Sequence, residues 1–541
     1  MAPDWLPESR LFLTIQRCPG SPHPPRALPM LRSIRFLLTL APLNTWGWSG
    51  LLVAISLIKL WSVTGVELGK DEAAYWYWSQ HLDATYALVP FALIGLGHAL
   101  YPGSEVVLRA LSVGAGLAAA FLLYRLCRLH GLAPTSSRWA TAAFVASHWI
   151  WHNSSFLHPD AFLVLFWLLA LVFARLAQQQ PQPLYFAAMG VAAGLALLSK
   201  YSGALLMAGL GLWLVLKLPK GHCRGLLWYG IPAFLVSVPL LWAQWRTGFF
   251  LPATLGSLSR IADQVTWRLP LFLVDPLLFV SPLLLWLLYR SFGAGLRQWH
   301  HPTGRPWHPG LITGLVVLGA FGFFALAKGQ IKGNWILPAF LGLWPRAFAA
   351  LPAQGPRPRL LIVLLLTSLL HSLPVAWALR HPEDLGKLGS LLAPLDDSYV
   401  HLVASQDRPR ESAYTWTQRL GDYHGWEDMA ARLERELSHR GLDPALPLVS
   451  PHYGLTFALA YYSPHPRPLF TVADPRFRLL ADFNHLNGPA LPSKALAVVH
   501  SQTDLPAALT ISYQPQLLTQ IERQAPGCPP IRYRVFLLHR R

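Results

Sequence analysis

Charge is what this chain has least of. Only 13% of its 541 residues are Asp, Glu, Lys or Arg, against about a quarter in ordinary soluble domains, so lipid instead of water must solvate much of it. Cysteine is also scarce: Cys18, Cys127, Cys223 and Cys528 form no C-x-x-C pair and no zinc spacing, which excludes a disulfide framework or a zinc module. No G-x-G-x-x-G, Walker loop or G-x-S-x-G is present, so nucleotide chemistry and serine-hydrolase chemistry have no motif behind them. The N-terminal stretch lacks an apolar core with a small-residue cleavage site and carries Pro19, Pro22, Pro24, Pro25 and Pro29. It reads as a disordered cytoplasmic tail over residues 1–35, with Met30 as an alternative start, and not as a signal peptide.

What is abundant is apolar and aromatic: 53% hydrophobic residues, 23 Trp and a mean hydropathy of +0.35. Crossing a bilayer takes about 20 apolar residues. About eleven runs qualify, near 38–62, 105–124, 139–157, 160–177, 184–200, 202–217, 225–244, 270–289, 309–327, 334–350 and 359–379. The net charge of +18 is not gathered into a nucleic-acid patch but spread between these runs, so nucleic acid is not an expected partner. Arg26, Arg32 and Arg35 precede the first run, and Arg125, Arg128 and Arg138, then Arg175, then Lys217, Lys220 and Arg224, then Arg290, Arg297 and Arg305, then Arg346, Arg357 and Arg359 mark every second connection. That alternation is the positive-inside pattern. It places the N-terminus in the cytoplasm, residues 36–380 in the membrane, and residues 381–541 outside. In the last stretch charge returns and apolar runs shrink to strand length at Pro447–Ser450, Leu469–Ala473, Ala495–His500 and Tyr533–His539. The spacing of Met429, Leu433 and Leu437 predicts an amphipathic helix over Trp426–Arg440, and together these elements predict a small extracytoplasmic α/β domain.

The segment richest in chemistry follows the first span: Lys70-Asp71-Glu72-Ala73-Ala74-Tyr75-Trp76-Tyr77-Trp78-Ser79-Gln80-His81. Two carboxylates beside an aromatic stretch of helical length can be read in two ways. One is a solvated loop with an interfacial aromatic belt. The other is an acid/base residue held at the membrane face, where a lipid-borne substrate presents its head group.

That run, with Gly103-Ser104-Glu105 to Arg109, His158-Pro159-Asp160, Leu198-Ser199-Lys200-Tyr201, Pro239 to Trp242, Gly333-Asn334-Trp335 to Pro338 and weaker echoes at Gly425-Trp426-Glu427, Tyr453 to Tyr462 and Asp482-Phe483-Asn484, resembles the bacterial branch of the dolichyl-phosphate-mannose protein mannosyltransferase family. The undecaprenyl-phosphate aminoarabinose transferases of lipid A are relatives of that branch. The resemblance implies a polytopic helical membrane protein of the GT-C fold in a bacterial inner membrane, with its active site and C-terminal domain facing the periplasm. It implies a hexosyl- or pentosyltransferase that takes sugar from a polyprenyl phosphate such as undecaprenyl phosphate and inverts the anomeric carbon. The acceptor would be a lipid, a glycan or a protein, and the surrounding partners membrane lipids. Asp71 falls at the general-base position, and Glu72 would shape its field or bind acceptor. Lys200, Lys332, Arg109 and Arg246 are the cations expected to take the leaving phosphate, since developing negative charge needs fixed positive groups. Tyr75, His81, His158, Asp160, Tyr201, Asn334 and Trp335 are the expected substrate contacts.

Plainer readings stand beside these. Arg246 and Lys328 sit where cations snorkel to head groups, and Asp160 follows a proline as a helix cap does. His148, His152 and His158 lie close together, but no second carboxylate completes a metal site, so they are read as polar lining and no cofactor or metal is expected. One departure matters: the family carries Tyr-x-Asp-His-Pro-Pro, or Glu-Lys-Pro-Pro in the aminoarabinose branch, where this chain has Tyr86-Ala87-Leu88-Val89-Pro90-Phe91. The loss of both polar residues keeps a non-catalytic sugar-lipid binder in view as a rival. A transporter is the other rival, although it would favour internal repeats and mid-membrane charge.

Overall fold

The computed structural model describes residues 45–80, 82, 86–217, 224–246, 273, 275–301, 307–328, 333–349, 357–387, 421–450, 453–471, 492–501 and 504–541. The chain enters through α1 (Thr45–Ser62) and reaches a short helix, α2 (Lys70–Gln80), that carries the acidic–aromatic segment. An apolar helix not expected from the sequence follows, α3 (Leu88–Leu100). Its 13 residues are too few to register as a span. Helix α4 (Glu105–Leu129) starts where it does because Ser104 caps it, its hydroxyl accepting from Val107 N at 3.3 Å.

The run expected as one span over 139–157 is two helices, α5 (Pro134–Ala146) and α6 (His148–Ser155). Ser147 between them is extended, at φ −61° and ψ 138°. Next come α7 (Pro159–Gln179), α8 (Pro183–Ser199), α9 (Gly203–Lys217) and α10 (Arg224–Arg246). Proline stands in the first turn of α5, α7 and α8, where its missing N–H costs nothing. The span expected near 270–289 lies further along, as a 3₁₀ turn at Asp275–Leu278 and then α11 (Pro282–Arg297). Helix α12 (His308–Lys328) follows.

A second correction falls on 334–350, which is no continuous span. It is built of 3₁₀ turns at Gly333–Trp335 and Leu337–Leu343 and a short α13 (Trp344–Ala349). Every residue from Ile336 to Phe348 is buried. Broken backbone at membrane depth is tolerated where protein surrounds it. Glycine makes that burial sterically feasible: a Cβ on Gly310 would lie 2.6 Å from the Gly342 carbonyl carbon, so only a pair of glycines lets the two backbones meet. Helix α14 (Arg357–Arg380) closes the bundle. Among the described residues five helices are long and apolar enough to cross a membrane, at 105–129, 159–179, 224–246, 308–325 and 360–380, and four shorter apolar helices accompany them.

The rest of the described chain is a mixed sheet with helices. Helix α15 (Trp426–His439) appears where the 3–4 spacing predicted it, with Met429, Leu433 and Leu437 buried. Then come β1 (Leu448–Ser450), α16 (Tyr453–Tyr462), β2 (Leu469–Thr471), β3 (Lys494–His500), α17 (Ala507–Ser512), β4 (Tyr513–Arg523) and β5 (Ile531–Arg540). The strand order is β2-β1-β3-β5-β4, parallel among the first three and antiparallel thereafter. In β3 Ala495 to Val499 are all buried, the continuous apolar run of a strand covered on both faces. Strand β4 was not expected, because its sequence is polar and includes Pro515. It lies at the sheet edge, where both are tolerated.

One face of the sheet packs on a small core of its own, Val449, Phe470, Ala495, Ala497, Leu509, Tyr513 and Leu538, and the other shares its core with the bundle. Ala73, Ala74 and Tyr77 of α2 lie in the same buried cluster as Leu433 of α15, Phe457 of α16 and Val535 of β5. Tyr77 stacks on Phe457 at 4.8 Å between centroids, and Trp76 meets Tyr461 edge-on at 4.9 Å. The aromatic segment is thus the seam between the bundle and the sheet, not a belt against lipid.

Candidate active site

Lys70, Asp71 and Glu72 form the first turn of α2, where carboxylates are favoured by the helix dipole. Three adjacent residues then meet three different environments. Glu72 is 3% exposed. One of its oxygens accepts from Arg109 Nε at 2.9 Å and Leu157 N at 2.7 Å, the other from Arg109 Nη2 at 2.7 Å and Gly69 N at 3.0 Å. The last bond is half of a capping box, with a glutamate at the third helical position reaching back to the cap N–H. Arg109, on α4, is fully buried. Its remaining N–H groups go to the carbonyls of Val63, Val66 and Glu67 at 2.5–2.9 Å. A guanidinium has five N–H donors, and all five are taken. Arg109, expected among the phosphate ligands, is instead committed to holding the loop that bears Asp71, with Glu72 as its counter-ion.

Lys70 turns the other way. Its ammonium lies 3.0 Å from Asp422, which also pairs with the buried Arg523 of β4 at 3.0 Å. Asp71, between two locked neighbours, is exposed. It acts electrostatically on two phenols, Tyr86 and Tyr423. Burial first, then the charges of Asp160, Tyr201 and Asp71, holds the Tyr86 hydroxyl protonated. Ala87 beside it is left-handed, at φ 47° and ψ 40°, a backbone state that costs a residue with a Cβ about 1–2 kcal/mol. The strain sits one residue before Leu88-Val89, the apolar pair that stands where the resemblance leads one to expect two polar residues.

The second cluster lies around α7. Asp160 is 2% exposed, and its carboxylate meets Lys200 Nζ at 2.6 Å and His158 Nδ1 at 2.7 Å. His158 also caps α7. Tyr75 of α2 faces His158 edge-on at 6.0 Å, and Tyr86 and Tyr201 lie 5.2 Å apart. Tyr201 accepts from Gln244 of α10 at 3.0 Å. Tyr86 thus lies within electrostatic reach of both carboxylates, and Asp71, Tyr75, His158, Asp160, Lys200 and Tyr201 share one neighbourhood. Arg246 is exposed two residues beyond Gln244. Among the described residues Trp335 has its ring contact with Phe321, at 5.9 Å, and Asn334 Oδ1 is buried without a hydrogen-bond partner. His81 and Lys332 lie outside the described residues, as does the side chain of Lys328. Among the described residues no three His, Cys, Asp or Glu side chains converge in a way that could hold a metal ion.

The family model for dolichyl-phosphate-mannose-protein mannosyltransferases matches residues 85–242. Along the sequence, the lipid A galacturonosyltransferase RgtD of Rhizobium johnstonii is 29% identical over 206 residues, 36% of this chain and 43% of that protein. The matched segment thus spans less than half of the curated relative. In three dimensions the likeness is broader. The crystal structure of ArnT from Cupriavidus metallidurans bound to undecaprenyl phosphate superposes with a TM-score of 0.58 and 17% identity, covering 91% of this chain and 98% of that one. The chain has the GT-C fold of ArnT. The apo structure of the same ArnT gives a TM-score of 0.55 over the same shares.

On this GT-C scaffold the family match takes in Tyr86, Arg109, Asp160, Lys200 and Tyr201, while Asp71 lies before it. Sequence reasoning passed over Tyr423, more than 300 positions from Asp71 along the chain, and no periodicity or motif singles it out. It also passed over Lys59 of α1, which is 3% exposed and donates to Ser154 Oγ at 3.0 Å. An intramembrane charge was the available signal there.

Proposed function

We propose that the protein is a membrane glycosyltransferase that moves one sugar from a polyprenyl-phosphate carrier to an acceptor hydroxyl, with inversion, at the α2 end of the bundle. The observation that carries this reading is the exposed Asp71 carboxylate between two immobilised neighbours, Lys70 and Glu72, next to the Tyr86, Asp160 and Lys200 group. An acceptor hydroxyl is a poor nucleophile until its proton is drawn off in the transition state. Asp71 takes that proton as the acceptor oxygen bonds to the anomeric carbon. The bond from that carbon to phosphate oxygen breaks on the far side, and the carrier leaves as polyprenyl phosphate. The Lys200 ammonium, aimed by Asp160, supplies fixed positive charge for the leaving phosphate. Lys332 and Arg246 are further candidates for it, and His81, Asn334 and Trp335 for the sugar or the acceptor. Two relatives support the substrate class: one structure holds undecaprenyl phosphate, and one relative is named for transfer to lipid A. A glycolipid acceptor at the periplasmic face of a bacterial inner membrane fits both.

A second reading, a sugar-lipid binder without turnover, is favoured by one observation, the apolar Ala87-Leu88-Val89 where the resemblance leads one to expect a polar pair. Purified protein given synthetic polyprenyl-phosphate hexoses and pentoses separates the two. Transfer or hydrolysis in wild type that is lost in Asp71→Asn supports the enzyme. Donor binding without release of polyprenyl phosphate supports the binder.

A further inference from the structure

The loop that bears Asp71 is gripped by a segment from the far end of the chain. Between α14 and α15 the backbone from Asp422 to Glu427 lies along Glu67–Lys70. Glu67 N donates to the Tyr423 carbonyl at 3.1 Å. In return the Glu67 carboxylate accepts from Trp426 N at 2.5 Å and Glu427 N at 3.5 Å, capping α15. Asp422 holds Lys70 on one side and Arg523 on the other.

At the centre of this grip is one ring. Tyr423 stands directly on Gly69: a Cβ built there would lie 2.7 Å from Tyr423 Cε1 and 3.1 Å from Cδ1. The ring also packs on Phe156, at 4.7 Å between centroids, the residue before Leu157, whose N–H donates to Glu72. Burial first, then Glu72 and Asp71, holds its phenol protonated well above the usual tyrosine range, so the ring brings no new charge to the base. The backbone that leads into α2 is thereby held by Arg109 through the Val63, Val66 and Glu67 carbonyls and by Tyr423 at Gly69.

We propose that Tyr423 is a positioning residue for Asp71: its ring, seated on Gly69, fixes the backbone from which the base projects. The inference rests on the glycosyltransferase reading and deepens it, because the C-terminal part of the chain then completes the active site. A misplacement of about 1 Å at a reacting group can cost on the order of 10²-fold in rate, whereas ground-state binding of the carrier does not depend on where Asp71 points.

The test measures kcat and KM for release of polyprenyl phosphate from synthetic polyprenyl-phosphate sugars by the full-length protein in detergent. Tyr423→Ala is expected to lower kcat about 10–100-fold with KM within about twofold of wild type. Tyr423→Phe keeps the ring and is expected to restore kcat to within about threefold. Gly69→Ala pushes the same ring from the other side, at a glycine outside the left-handed region, and is expected to reproduce the Tyr423→Ala loss. Should Tyr423→Ala fail to fold, the Gly69→Ala and Tyr423→Phe pair decides. Active wild type, inactive Asp71→Asn and wild-type kcat in Gly69→Ala and Tyr423→Ala would overturn the positioning role and leave the enzyme reading intact. Wild type that releases no polyprenyl phosphate would overturn the enzyme reading and the positioning role with it.

Discussion

Asp71 and Glu72 are one bond apart in kind and opposite in circumstance. Glu72 accepts four hydrogen bonds and is the counter-ion of a guanidinium with no exposed surface. Removing one partner of a buried pair costs about 3–5 kcal/mol, because the other charge stays behind. Glu72→Gln is therefore expected to lower the thermal unfolding midpoint of the detergent-purified protein, while Asp71→Asn leaves it within error of wild type; equal midpoints for all three proteins would deny Glu72 its structural role. Ala87→Gly, which releases the left-handed strain, is expected to stabilise by up to about 1 kcal/mol, and a lowered midpoint would show that the Ala87 methyl matters more than its φ. The sequence made the carboxylate pair legible, since two acids beside an aromatic helix at a span end are rare. It could not divide their labour. The divider is Arg109, 37 residues away, and a cation at the start of a span reads as well for a phosphate ligand as for a buried counter-ion.

Elements were legible wherever one period ran uninterrupted. Helices α4, α7, α8 and α10 lie close to the apolar runs that predict them, and α15 announces itself through Met429, Leu433 and Leu437. The failures share a cause: hydropathy counts apolar residues and is blind to backbone breaks. Ser147 interrupts one run, Leu337–Leu343 is 3₁₀ inside another, and α3 falls below span length. The broken segment depends on the contact between Gly310 and Gly342. Gly310→Val is expected to abolish the monodisperse peak in size-exclusion chromatography, whereas Gly319→Val on the same helix, where no atom lies within 4 Å of an added Cβ, is expected to elute as wild type. A normal Gly310→Val profile would mean that the two backbones have room to separate.

At the scale of the molecule, composition alone placed the chain in a membrane, and short strands in a charged tail pointed to a mixed C-terminal fold. What no composition reveals is that Thr45–Arg541 is one compact unit in which α2 shares its core with the sheet. Such contacts join residues more than 300 positions apart and leave no local period. Reporter fusions after Arg224 and after Arg410 are expected to report cytoplasm and periplasm respectively, and the same side for both would refute the proposed orientation. A chain ending at Arg380 is expected to insert but to release no polyprenyl phosphate, since it lacks Asp422, Tyr423 and the apolar partners of α2; retained turnover would make the C-terminal part dispensable. The central claim, that Asp71 is the base of a sugar transfer from a lipid carrier, is tested most directly by one comparison. It is the rate of polyprenyl phosphate release from synthetic polyprenyl-phosphate sugars by wild-type and Asp71→Asn protein of equal thermal stability. Loss of a general base lowers the rate about 10²–10⁴-fold, and that is the result expected; equal rates in the two proteins would contradict it.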